Sequence, residues 1–404
     1  MHRGRDRRHA QACQGLSVLC LWAARALTPD RELARVAVRI EAGRIAELVA
    51  DAEPDPEAER FPDATLVPGL VDLQVNGGNG AAYDAVDPAE RTRATEFHLR
   101  SGTTSLLATL VTASLDQLEA SLTRLAADVD PAGPLLGVHL EGPFLAAAKA
   151  GAHEQQWLCD PHPERVERLI AAAQGTLRLV TLAPEREDAL AAVRRFAETG
   201  AVVAAGHSQA SAVELRRAIE QGLSFITHVG NASDWPSRPF DAELGYRRSE
   251  PGLVGTFLFE RRLRGSLILD GLHLHPELAR ALIELRGPEN VVLVSDATPA
   301  AGLPPGRYRQ GGLEVVIHPQ GYATAGQGLA GSVTPLVHAV RTAVREAGVS
   351  LPVALRMATS TPAQIVGADG RKGRLQPGHD ADLLLLGPDL AVQAVYRAGK
   401  RIKI

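Results

Sequence analysis

Apolar segments that each end in a polar side chain recur along this chain, and no other feature of the sequence constrains the fold as strongly. In one of them the apolar run 134–138 leads into His139-Leu-Glu-Gly-Pro-Phe, so that Glu141 stands just before Gly142-Pro143. An apolar run that ends at Gly-Pro is typical of a buried strand entering a turn. A carboxylate at such a position is costly unless it is paired, and a metal ion is one suitable partner. For this segment alone, a turn cap or an arginine partner remains the alternative.

The same pattern returns at four other places. Further apolar runs lead to His207, to His228, to Asp296, and to the pair Gln74 and Asn76. A single histidine on an apolar face is usually a hydrogen-bonded core residue, but five strand ends with potential ligands are hard to explain in that way. We therefore interpret these positions as parts of one site.

Strand-like and helix-like segments alternate from residue 65 onward. The predicted strands end near Gln74, Thr109, Glu141, Leu182, Gly206, His228, Leu269 and Ser295. Segments with helical spacing lie between most of them, at 115–128, 163–174, 186–199 and 210–221. This alternation predicts an α/β fold, a TIM-type (β/α)8 barrel with its active site at the C-terminal strand ends. A doubly wound open sheet is the alternative, although it would seldom bring five strand ends to one point.

Both ends of the chain are rich in strand-like segments. We predict that residues 1–65 and 370–404 build one small β-sandwich domain, and that residues 66–369 form the barrel. A turn at Ala42-Gly43 is predicted to join two of the strands. The basic first ten residues and the apolar run after them resemble a signal peptide. The run is short, contains Arg25 and continues into a strand, which favours a disordered tail instead.

Two long loops and two late helices complete the predicted organisation. The loops, 231–252 and 302–331, are expected to shape the substrate pocket, and the second contains a predicted hairpin. Helices are predicted over 331–347 and 352–359, followed by a strand-like segment over 373–386.

Composition excludes several functional classes. The formal net charge of −4 gives no field suited to nucleic acid, and no stretch is long enough to span a membrane. The 3 cysteines form no CxxC pair, which favours a reducing compartment, and we expect a cytoplasmic protein. No lysine lies between Lys149 and Lys372, so any mechanism that needs a lysine in that interval is excluded.

The residue types at the strand ends point to metal-dependent hydrolysis. Glu141, His207 and His228 form a carboxylate and two-imidazole set that suits one divalent metal ion per chain, zinc, with a position open for water. Such an ion acidifies water and polarises a carbonyl group. Asp296 is the candidate general base, with a helix N-cap as the alternative. His273 is the candidate stabiliser of the developing negative oxygen, with a solvated loop histidine as the alternative.

The motifs, taken together, resemble the N-acetylglucosamine-6-phosphate deacetylase family of the amidohydrolase superfamily. They occur in the family's order over nearly the whole chain, and the resemblance is specific because it rests on all of them jointly. The segments that carry it are 68–78, 139–144, 151–153, 205–208, 227–228, 270–273, 294–298, 329–332 and 377–383.

This resemblance implies a barrel with a small β-domain and hydrolysis of N-acetylglucosamine 6-phosphate to glucosamine 6-phosphate and acetate. It implies metal binding by Glu141, His207 and His228, and general acid/base catalysis by Asp296. It also implies a homodimer in which a partner loop reaches the substrate. The substrate contacts that it implies are Ala152, His153, Asn231, Ala232, His273, Leu329, Ala330 and Gly331.

The sequence departs from the family pattern in two ways. Gln74 and Asn76 replace the His-x-His with which some relatives bind a second metal, so we expect the single-metal subtype. In relatives an arginine immediately before the later Glu-Pro-Gly helps to bind phosphate, whereas here Ser249 takes that place. The candidate phosphate ligands are Arg247 and Arg248 in this loop, with Arg238 more remote, and we expect Arg248 to serve.

Two other functions remain open at the level of sequence. One is a deacetylase of another N-acyl amino sugar, epimeric or unphosphorylated. The other is a non-catalytic sugar-phosphate binder on the same scaffold, against which the intact Glu/His/His/Asp set argues.

Overall fold

A closed ring of parallel strands forms the centre of the molecule. The computed structural model describes residues 19–237, 240–241, 245–247, 249–310, 313–326 and 328–404, so the tail predicted for the first ten residues lies outside the described part. The eight strands of the ring are paired in chain order: Leu70–Val75, Thr103–Val111, Leu135–Glu141, Leu177–Leu182, Val202–Ala205, Leu223–Ile226, Arg264–Ile268 and Val291–Val294.

The ring closes where the eighth strand meets the first. The Asp296 N–H donates to the carbonyl of Gln74 at 3.0 Å, and Val75 forms a parallel bridge with Ala297. A doubly wound open sheet has no such closure. The prediction of a TIM-type barrel is therefore confirmed.

Helices follow most of the barrel strands and cover the ring. Their bounds are Pro88–Arg100, Leu115–Asp128, Pro163–Ala173, Ala189–Glu198, Ala212–Glu220, Gly252–Phe259, Pro276–Arg286, Leu336–Arg345, Leu351–Ala358 and Ser360–Ile365. Helix Leu115–Asp128 illustrates why they form, because a capping box between Ser114 and Gln117 starts it and leucines at helical spacing bury one face. Because the strands are covered on both sides, their sequences are continuous apolar runs.

Several predicted bounds need correction. The helix predicted from residue 331 begins at Leu336, because Ser332 forms a parallel bridge with Ala297, just past the eighth strand, and Pro335 disfavours helix before it. The helix predicted over 352–359 is confirmed as Leu351–Ala358. A further short helix, Ser360–Ile365, follows after Thr359 leaves helical geometry at φ −136°, and it was not predicted. The strand predicted over 373–386 is limited to Leu383–Leu386, and turns precede it.

The two ends of the chain build one mixed sheet beside the barrel. Its seven strands, in spatial order, are Lys400–Ile402, Val392–Arg397, Leu383–Leu386, Glu59–Pro68, Leu19–Leu27, Glu32–Glu41 and Arg44–Val49. The predicted turn at Ala42-Gly43 is confirmed, and both residues have positive φ, as in the two-residue turns that match strand twist.

The remaining short elements lie in the loops. The hairpin predicted within 302–331 is confirmed as part of a four-stranded sheet: Gly306–Gln310, Leu313–Ile317, Ala323–Ala325 and Gly328–Leu329. Two-residue strands pair as Gly77–Gly78 with Ala81–Ala82 and as Phe240–Asp241 with Tyr246–Arg247, and 3-10 turns span Ala147–Lys149 and Gln155–Trp157. Within the described ranges no helix is long and apolar enough to cross a membrane.

Candidate active site

Three of the predicted side chains meet at the C-terminal end of the barrel. One ligand atom each from Glu141, His207 and His228 lies within 4.8 Å of the others. Glu141 Oε1 is 3.0 Å from His228 Nε2 and 3.3 Å from His207 Nε2, and the two Nε2 atoms are 3.1 Å apart. All three residues are buried.

The hydrogen bonds of the two imidazoles make this cluster fit a cation. Nδ1 of His207 donates to the carbonyl of Lys149 at 2.8 Å, and Nδ1 of His228 donates to the carbonyl of Asn231 at 3.2 Å. Because a carbonyl only accepts, Nδ1 of each ring carries a proton, and loss of the Nε2 proton on metal binding would direct the Nε2 lone pair at the same point as Glu141. Although burial raises the pKa of Glu141, the imidazoles hold it well below its usual range, so Glu141 is an anion. Lone pairs and an anion that converge in this way suit a bound metal ion.

Backbone strain is concentrated on the same residues. His207, His228 and Asp296 have φ values of +48°, +31° and +48°. Non-glycine residues seldom adopt positive φ, and where they do the strain is often associated with a functional site. Here it turns each side chain inward where its strand ends.

The first barrel strand supplies amide partners that the sequence did not reveal. Gln74 Nε2 donates to both carboxylate oxygens of Glu141, each at 3.1 Å. Asn76 Nδ2 donates to Asp296 Oδ1 at 2.7 Å. The sequence motif identifies these two amides only as replacements for the His-x-His of some relatives. Their position two residues apart on a strand, and therefore on one face, was the available signal.

Asp296 lies at the end of the eighth strand in a low-dielectric environment. Burial is the main cause that raises the pKa of Asp296 to about 6, and the negative charge of Glu141 is the second. The charges of His228 and His273 and the Asn76 hydrogen bond oppose this rise. A carboxylate with a pKa near neutrality is well matched to proton transfer at physiological pH.

His273 is held by the residue that begins its motif. Its Nδ1 donates to Asp270 Oδ2 at 2.8 Å, and its backbone N–H donates to Asp270 Oδ1 at 3.0 Å. Although burial opposes it, the His273 contacts lower the pKa of Asp270 to about 2, so the carboxylate is ionised. Nδ1 of His273 is thereby occupied, and Nε2 makes no hydrogen bond within the described part of the chain.

His153 lies against the metal-site histidines. Its ring centroid is 4.4 Å from that of His207, in an edge-to-face arrangement. The backbone N–H of Thr112 donates to His153 Nδ1 at 3.3 Å, which leaves the ring proton on Nε2. Burial lowers the pKa of His153 to about 3 and keeps the ring neutral. Thr112 was not singled out in the sequence, and Ala152 lies exposed beside His153.

The other predicted substrate contacts lie on two loops of the same face. The Nδ2 of Asn231 is buried without a hydrogen-bond partner among the described residues, and Ala232 has a φ of +44°. Leu329 is exposed and Ala330 is buried. A Cβ on Gly331 would lie 3.1 Å from the carbonyl oxygen of Asp296, so this loop passes close to the candidate base.

The predicted phosphate ligand, Arg248, lies outside the described residues. After it, Glu250 accepts a hydrogen bond from the Ala212 N–H at 2.8 Å and anchors the loop to the start of the preceding helix, Ala212–Glu220.

Comparisons with known proteins agree with this geometry. The Amidohydrolase family profile matches residues 65–402. The N-acetylgalactosamine-6-phosphate deacetylase of Escherichia coli O157:H7 is 36% identical over 94% of this chain and 98% of its own length. The N-acetylglucosamine-6-phosphate deacetylase of Bos taurus is 34% identical over 83% of each chain.

Solved structures give the same result. A mutant N-acetyl-D-glucosamine-6-phosphate deacetylase from Mycobacterium smegmatis, in complex with N-acetyl-D-glucosamine-6-phosphate, matches with a TM-score of 0.88 and 35% identity, over 96% of this chain and 100% of that one. The N-acetylglucosamine-6-phosphate deacetylase of Thermotoga maritima matches with a TM-score of 0.83 and 28% identity, over 95% and 99% of the two chains. By sequence, fold and the arrangement of its strand ends, this chain belongs to the amidohydrolase family.

Proposed function

We propose that this protein is a metal-dependent hydrolase that removes the acetyl group of N-acetylglucosamine 6-phosphate and gives glucosamine 6-phosphate and acetate. The observation that carries the proposal is the convergence of Glu141, His207 and His228 at the barrel end that also holds Asp296. Relatives that match most of the chain are deacetylases of N-acetylhexosamine 6-phosphates by name.

One divalent ion per chain, zinc, would be held by Glu141, His207 and His228. When bound, it would supply an acidified water and polarise the substrate carbonyl. Gln74 and Asn76 support a single site because their amides already donate to Glu141 and Asp296 and are poor zinc ligands. The carbonyls of Lys149 and Asn231 fix the ring orientation of the two histidines.

Asp296 would move the proton during the reaction. As the water oxygen attacks the acetamide carbon, the carboxylate takes the water proton, and it then gives a proton to the sugar nitrogen as the C–N bond breaks. The products are acetate and the free amine. Asn76 holds Oδ1 of Asp296, which leaves Oδ2 for this transfer.

The substrate would be held by groups that the protein leaves available. His273, with Nδ1 occupied by Asp270, presents Nε2, which can donate to the negative oxygen when the ring carries both protons. His153 offers its Nε2–H, and Asn231 offers its unpaired amide. Ala152, Ala232 and the 329–331 loop would complete the sugar pocket.

The 6-phosphate would be bound by Arg248, in the loop where relatives carry their phosphate arginine. A guanidinium group can form two parallel hydrogen bonds to phosphate, so a neighbouring backbone position can still serve. The same proposal includes a homodimer, in which a loop of the partner reaches the substrate, and a cytoplasmic location. It also divides the chain into a small β-domain, residues 1–65 with 370–404, and a barrel domain, residues 66–369.

A second candidate substrate is N-acetylgalactosamine 6-phosphate. The observation that favours it is the 36% identity, over 98% of its length, to a deacetylase named for that epimer. The candidate chemistry is the same for both epimers, so only recognition of the sugar ring would differ.

The test is acetate release by zinc-loaded protein from both epimers, each with and without the 6-phosphate. We expect turnover of a phosphorylated sugar and a much lower kcat/KM for its unphosphorylated form. Preference for the galacto epimer would select the second candidate. Absence of acetate release from all four sugars would overturn the proposed function.

A further inference from the structure

A buried carboxylate on the first barrel strand has no part in the mechanism described above. Asp72 is fully buried, and no cationic side chain pairs with it in the described part of the protein. Burial raises the pKa of Asp72 to about 7, although hydrogen bonds from Ser295 and Gln74 act to lower it. A carboxylate without a cationic partner is an expensive group to bury, so its contacts call for an explanation.

The contacts of Asp72 lead to both halves of the candidate site. Asp72 Oδ1 accepts from the backbone N–H of Gln74 and from that of Ser295, each at 3.2 Å, and Oδ2 accepts from the Ser295 N–H at 3.3 Å. Ser295 directly precedes Asp296. Gln74 is the residue whose side-chain amide donates to both oxygens of Glu141.

Asp296 needs such support because its backbone is strained. Its φ of +48° is seldom adopted by aspartate, and such a conformation persists only where the surroundings fix it. The Asp296 N–H donates to Gln74 O at 3.0 Å, and its carbonyl accepts from the Ser332 N–H at 3.1 Å. Asp72 adds a further constraint, because it accepts the backbone N–H of Ser295, the residue directly before Asp296.

We propose that Asp72 is a positioning residue that joins the first and eighth barrel strands and thereby sets the orientation of both Asp296 and Glu141. This inference rests on the proposed function. Both donors approach Oδ1, and one of them also approaches Oδ2, so both oxygens must be acceptors. An asparagine amide would place an N–H group against the Ser295 N–H, whereas a carboxylate accepts at both positions.

The test compares Asp72→Asn with wild type in the zinc-loaded protein. Changes beside catalytic groups of this kind typically cost about 10- to 100-fold, and we expect that loss in kcat with KM and metal content retained. Because the effect acts through Asp296, adding Asp72→Asn to Asp296→Asn should lower kcat little further.

Asp382→Asn is the matched control. Asp382 is a buried carboxylate that also accepts a backbone N–H, from Ala398 at 2.8 Å, but it lies next to the N-terminal end of the first barrel strand. We expect it to lower Tm and leave kcat unchanged. If Asp72→Asn behaves in the same way, or loses an equal factor in the Asp296→Asn background, the positioning role is overturned.

If Asp72→Asn does not fold, Ser295→Ala tests the same junction. It removes the hydroxyl that donates to the carbonyl of Gln74 at 3.4 Å and accepts from the Ala297 N–H at 3.2 Å, directly beside the Asp72 carboxylate. We expect a smaller loss of kcat with KM kept, and a wild-type kcat would overturn the inference.

The two proposals fail in different ways. A wild-type protein that releases no acetate defeats the proposed function, whereas an active wild type with an unaffected Asp72→Asn variant defeats only the positioning role.

Discussion

Removing the amide of Asn76 should shift the pH dependence of catalysis in a direction that the structure fixes. Asn76 Nδ2 donates to Asp296 Oδ1 at 2.7 Å and stabilises the ionised form of the candidate base. A hydrogen bond to a charged group is worth roughly 1.5–3 kcal/mol, and one pKa unit corresponds to about 1.36 kcal/mol. Asn76 is partly exposed and water can replace part of this bond, so we expect the pKa of Asp296 to rise by about one unit in Asn76→Ala.

The sign follows from the role of the carboxylate. Asp296 acts as a base only when ionised, so kcat/KM falls as pH drops through its pKa, and a raised pKa moves this acid limb to higher pH. The assay is the pH profile of kcat/KM for acetate release at saturating zinc. Asn290→Ala is the control, because Asn290 donates to the Arg286 carbonyl at 2.8 Å and lies at the opposite end of the eighth strand. An unmoved limb in an active Asn76→Ala enzyme would refute the reasoning.

Three further predictions follow from the site and its surroundings. Elemental analysis should find one zinc per chain and none in His228→Ala, which should also be inactive; two equivalents in active wild type would contradict the single site. Lys372→Met should lower the free energy of unfolding by roughly 3–5 kcal/mol in urea titrations and leave kcat unchanged, because Lys372 Nζ lies 3.0 and 2.7 Å from the buried carboxylates of Asp380 and Asp382. A smaller loss would mean that Arg371, which also pairs with Asp380, compensates. Arg248→Ala should raise KM about 10- to 150-fold for the phosphorylated sugar only; an equal effect on both sugars would place the arginine elsewhere.

Strand ends could be predicted from the sequence because they depend on local patterns. The apolar run before Glu141 and the turn at Gly142-Pro143 mark the end of the third barrel strand, and the observed strand ends at Glu141. Parallel strands in a barrel share one C-terminal face, so the predicted barrel also implied that His207 and His228 would lie near Glu141.

Pairings across the barrel could not be predicted in this way. Gln74 and Glu141 are 67 positions apart, and Asn76 and Asp296 are 220 apart, so their hydrogen bonds depend on strand register. Asp72 lies within an otherwise apolar run, 70–73, and nothing local indicates that its carboxylate reaches the eighth strand. The start of the helix at Leu336 cannot be predicted for a related reason, since Ser332 is held by backbone hydrogen bonds to Asp296 and Thr298, which are distant in the chain.

Turnover of N-acetylglucosamine 6-phosphate by zinc-loaded wild type and Asp296→Asn tests the central claim most directly. The account predicts acetate release by wild type, and in the variant a kcat lower by about 10²- to 10⁴-fold with zinc and KM retained, because an amide cannot accept the water proton. A variant with near-normal kcat, or a wild type that is inactive on this sugar and on its galacto epimer, would contradict it.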